Sequence, residues 1–60
     1  MPVQLYSEFT PGLYVINKNN DTWGVGQIQS CINNIVTINF ENVGKKVINL
    51  NEIHLEIIDI

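Results

Sequence analysis

The chain has 60 residues and a net charge of −3, three lysines against six acids, with no Ala and no Arg. Ten Ile, six Val and nine Asn dominate it, so strong helix formers are scarce while β-branched and turn-forming residues are abundant. A composition of 45% hydrophobic and 15% charged residues excludes a disordered tail. No apolar run approaches the roughly 20 residues of a membrane-spanning helix, so no membrane association is expected.

The acidic balance also argues against direct nucleic-acid binding, which runs on counterion release by clustered Lys and Arg. Cys31 and His54 are each the single residue of their type, so no internal disulfide and no metal site are expected, and no cofactor is implied. The opening Met1-Pro2-Val3-Gln4 lacks the basic and apolar regions of a signal peptide. One unpaired cysteine suits a reducing compartment, and a cytoplasmic location is expected. A chain this short buries only about 60% of its unfolded surface. Without a staple, it must rely on a well-closed sheet, self-association or a partner.

In chain order, residues 1–10 read as a lead-in with apolar anchors Leu5, Tyr6 and Phe9, and residues 11–60 as the domain. Pro11-Gly12 punctuates the chain, and five short β segments follow. The first is Leu13–Ile16, ended by the polar run 17–21. The second runs from Trp23 to about Ser30 and contains Gly24 and Gly26, which mark a bulge, a sharp bend or a close backbone approach. Asn33-Asn34 tolerates positive φ and predicts a tight hairpin turn. In the third segment, Ile35–Phe40, Val36, Ile38 and Phe40 alternate with polar residues and should face the core. The fourth is Lys46–Leu50, preceded by a loop at Gly44. The fifth is His54–Ile57, extending towards Ile58, with one 3₁₀ turn at 51–53 before it. A helix over 46–58 is the alternative, disfavoured by its Ile, Val and Asn content. The reading is therefore all-β: a five-stranded antiparallel SH3-like (Tudor-like) barrel, whose closure would remove aggregation-prone edges. A three-stranded open sheet that dimerises is the other architecture.

The sequence predicts no catalytic residues. His54, between Glu52 and Glu56, reads as an exposed strand residue rather than a general base, and Cys31 as a half-buried structural thiol rather than a nucleophile. Gly24-Val25-Gly26 lacks the third glycine of a dinucleotide fingerprint and the Lys of a phosphate loop. Trp23 either caps the core or anchors a partner, since Trp buries much area with few torsions. Lys45 and Lys46 form either a solvated turn or a charge for an acidic partner.

Pro11-Gly12-Leu13-Tyr14-Val15, Trp23-Gly24-Val25-Gly26-Gln27-Ile28-Gln29-Ser30, Val36-Thr37-Ile38-Asn39-Phe40-Glu41 and Gly44-Lys45-Lys46-Val47-Ile48 occur in order. This pattern resembles a small bacterial domain family whose function is not established. That family is similar to the Tudor-like C-terminal domain of UvrD-type helicases. More distantly, it is similar to the RNA-polymerase-interacting domain of CarD-type regulators and transcription-repair coupling factors. The resemblance implies a docking barrel with the bacterial RNA polymerase β subunit as one target. It places the contact at Trp23, Gln27, Gln29, Lys45 and Lys46, with Gly12, Gly24, Gly26 and Gly44 as turn or bulge positions. The expected function is a non-catalytic protein-interaction module. A nucleic-acid-binding barrel and a structural or regulatory subunit of a larger enzyme are the alternatives.

Overall fold

The computed structural model describes residues 9–59. Leu5 and Tyr6 lie outside the described residues, while Phe9 packs against the core. Strands β1 (Tyr14–Asn17), β2 (Gly26–Ile32), β3 (Ile35–Phe40), β4 (Gly44–Asn49) and β5 (Leu55–Ile58) form one antiparallel sheet in the order β4-β3-β2-β1-β5. Among the described residues the ladder does not close: β4 and β5 are its two edges. The all-β class is therefore as expected, and the architecture is an open sheet rather than a hydrogen-bonded barrel. No helix stands at residues 46–58, which form β4, a turn and β5.

Each turn follows from local chemistry. Thr10 O accepts from Leu13 N at 3.2 Å across Pro11-Gly12, with Gly12 at φ +96°. Proline followed by a positive-φ glycine is the signature of a type II turn. Asn33 and Asn34 have φ +51° and +70°, the pair of left-handed residues that a type I′ hairpin requires. The polar run after β1 forms a 3₁₀ segment, Lys18–Trp23, in which the Asn17 side chain accepts from Asn19 N at 3.0 Å. This segment takes in Trp23, and Gly24 at φ +82° ends it, so β2 begins three residues later than the sequence suggests. The 51–53 stretch is a hydrogen-bonded turn, in which Asn49 O accepts from Glu52 N and Ile53 N at 3.0 and 3.1 Å.

One face of the sheet carries the core. Val15, Ile28, Val36, Ile38, Phe40, Ile48 and Leu55 are all 3% exposed or less, with Phe9, Leu13, Trp23, Cys31, Leu50, Ile53 and Ile57 packed around them. The alternation expected in β3 is present. A single sheet without a covering helix buries one face so completely only by coiling around it. Two features allow the coil. Strand β1 pairs with β2 only at its start and with β5 along its length. The β2–β3 register also shifts between Ile28 and Ser30, which leaves Gln29 as an extra residue.

That shift places the bulge away from Gly26 and leaves a close approach as the reason for the glycine. Gly26 is regularly paired, with Val15 on one side and Phe40 on the other. It is glycine because a Cβ there would lie 2.5 Å from Ile38 Cγ2 and 2.7 Å from the Phe40 ring. The bulge at Gln29 instead reverses which β2 residues face inward. Strict alternation from Ile28 would bury Ser30 and Ile32. The observed register pairs Cys31 with buried Val36 and leaves Ile32 66% exposed beside Ile35.

Candidate interaction surface

The five residues singled out for partner contact do not converge on one patch. Lys45 and Lys46 are neighbours in β4, so they point to opposite faces. Lys46 lies in the core-face register between Gly44 and buried Ile48, and its Nζ sits 5.2 Å from the centroid of the Trp23 ring. Trp23 meets Phe40 edge-on, with centroids 5.2 Å apart and planes at 68°. The ring quadrupole thus holds an aromatic edge and an ammonium at once. Trp23 is half-buried and caps one end of the core.

The backbone around Trp23 is tied to the β3–β4 turn. Asn42 N donates to Trp23 O at 3.0 Å and Glu41 N to Val25 O at 2.9 Å. In return Glu41 Oε1 accepts from Val25 N at 3.0 Å, and Asn42 Nδ2 donates to Thr22 O at 2.9 Å. Gly24 stands at φ +82°, where an L side chain is strained, and a Cβ there would lie 2.9 Å from the Glu41 and Asn42 side chains, so the two loops meet at a position that favours glycine.

On the outer face the registers align one row across all five strands: Ile58, Tyr14, Gln27, Asn39 and Lys45. Tyr14 is 37% exposed, and the two amides stand side by side between it and the lysine. The row lies along an open groove of about 560 Å³ lined by Tyr14, Gln27, Asn39, Glu41 and Asn42. Gln27 Nε2 donates to Gly12 O at 3.4 Å, and Gln29 Nε2 to Gln27 O at 3.4 Å. Gln29, the extra residue of the bulge, is exposed beside this row.

The remaining titratable residues lie elsewhere. Glu56 pairs with Lys18 at 3.3 Å, with both side chains about half exposed, and such a pair contributes little to stability. His54 is exposed and Cys31 is half-buried. No group of three or more His, Cys, Asp and Glu is placed to hold a metal among the described residues. No helix among them is long and apolar enough to cross a membrane.

Asn39, Glu41 and Asn42 are surface-forming residues that the sequence did not single out. Asn39 was readable as outward-facing from the β3 alternation. The Glu41 and Asn42 contacts bridge sixteen and twenty residues of sequence, and no local pattern announces them.

Residues 9–58 match the family described as "Protein of unknown function (DUF3553)". The chain belongs to this family. No curated protein and no solved structure matches it. The match begins at Phe9, the first described residue that packs on the core, and ends with β5.

Proposed function

We propose that this chain is a non-catalytic protein-interaction module that receives its partner on the outer face, along Tyr14, Gln27, Asn39 and Lys45. The observation that carries this reading is the cross-strand row itself, which puts an exposed aromatic ring, two amides and a lysine in line beside an open groove. Tyrosine supplies contact area at low entropic cost, the amides donate and accept hydrogen bonds, and a rim lysine orients an acidic partner. Strands rather than loops hold these side chains, so little ordering is needed on binding.

The resemblance to polymerase-interacting domains makes the bacterial RNA polymerase β subunit the first partner to test. Titration calorimetry with purified polymerase, using the wild type, Asn39→Lys and Lys45→Glu, tests the reading. Loss of about tenfold or more in affinity in both variants, with melting temperature unchanged, is the expected result. Affinity that both variants retain removes the row from the interface. Tight, steeply salt-dependent binding of single-stranded DNA by the wild type would replace this reading with a nucleic-acid one.

A further inference from the structure

The opposite end of the outer face has a different character. Ile32, Ile35 and Val47 are 66%, 39% and 67% exposed. Ile32 pairs with Ile35, and Val47 pairs with Thr37, one same-face step along β3 from Ile35. Three branched aliphatic side chains thus stand together, with Val47 on the edge strand.

The backbone of that edge can be assigned. Leu50 N donates to Asn34 O at 2.9 Å, which makes Asn34–Leu50 a hydrogen-bonded pair in the β3–β4 register. Hydrogen-bonded and non-hydrogen-bonded pairs alternate along an antiparallel ladder. Gly44, Lys46 and Ile48 therefore bond inward to β3, Lys45 and Val47 turn their N–H and C=O groups to the outer edge, and Asn49 turns its N–H there while its C=O is held by Glu52 N and Ile53 N of the following turn. The same three residues carry their side chains on the outer face.

This trio is its own complement. Placed antiparallel on a second copy with the two-fold axis at Val47, each Lys45 faces the partner's Asn49 and valine faces valine. No like charges are opposed, and each ammonium meets an amide oxygen. The β5 edge carries Glu56 and Asp59 and no lysine, so an antiparallel self-pairing there sets no opposite charges against each other. We propose that β4 pairs with β4 of a second copy through Lys45, Val47 and Asn49, joining two open sheets into one. The isologous contact closes on itself and so does not propagate into fibres.

The contact is small, so association is concentration-dependent. Sedimentation velocity and amide hydrogen exchange on the full 60-residue chain, from about 10 µM to about 1 mM, test it. The expected result is a monomer–dimer equilibrium, with the amides of Lys45, Val47 and Asn49 gaining protection as dimer forms. Val47→Lys should abolish the dimer without unfolding the monomer. Asn49→Asp, which gives each Lys45 a carboxylate and keeps the oxygen that accepts from Asn51 N, should tighten it about fivefold. A monomer at every concentration overturns the proposal, as does a dimer insensitive to both substitutions. Protection of the three amides in the monomer also overturns it, because the edge would then already be covered without a second copy. Such outcomes leave the outer-face row available to a partner. A dimer protected at Tyr14, Gln27 and Asn39 instead would overturn both readings.

Discussion

The two ends of the sheet are built on opposite principles. At the β3–β4 turn, Trp23 covers Phe40, Lys46 covers Trp23, and Glu41 and Asn42 tie the 3₁₀ segment down with side-chain and backbone hydrogen bonds. At the β2–β3 turn, the chain reverses through two asparagines and leaves Ile32, Ile35 and Val47 in solvent. In a chain whose single cysteine allows no internal disulfide, the first end supplies the closure that a cross-link gives other small domains. The second end is where apolar surface remains for another molecule. Substitutions should accordingly be costly at the first end and cheap at the second.

The largest effect is expected from Phe40→Ala, which removes the ring that Trp23 and Gly26 both pack on. A loss of about 3–5 kcal/mol in chemical denaturation is expected, enough to leave so small a domain largely unfolded. Gly26→Val follows, at about 3 kcal/mol, because the new side chain collides with Ile38 and Phe40. A thermal melt like that of the wild type would break the close-packing account of Gly26. Glu41→Ala deprives Val25 N of its acceptor and should cost about 1–2 kcal/mol, with hydrogen exchange at Val25 accelerating before the rest. Lys46→Ala should cost about 0.5–1 kcal/mol and shift tryptophan emission to the red as the ring loses its cover. Smallest of all, Val47→Thr should change stability by less than about 0.5 kcal/mol. A larger loss there would mean that Val47 is already buried against something in solution, which sharpens the contrast between the ends.

How far such differences can be read from sequence depends on how local their causes are. The β3 core face followed from alternation alone, because side chains in a strand point to opposite faces with period two. The Asn33-Asn34 reversal and the glycine after Pro11 were readable because backbone sterics restrict positive φ to few residue types. The 3₁₀ segment is not legible in the sequence, since a polar run shows that the chain leaves the sheet and not what it does next. Trp23 and Lys46 were both noticed, but their stacking depends on β4 lying beside β3 in one register. Gln27 and Lys45 share a row for the same reason.

The sequence by itself determined the strand content, the turn positions and the inner face of β3, all consequences of short-range sterics and period-two patterning. Only the tertiary structure decided that the ladder does not close among the described residues and that Gly26 serves a close approach. It alone decided that one extra residue at Gln29 turns Cys31 inward and Ile32 outward. These are matters of register between strands distant in the chain. Register is set by how side chains pack across the ladder, which no stretch of sequence contains.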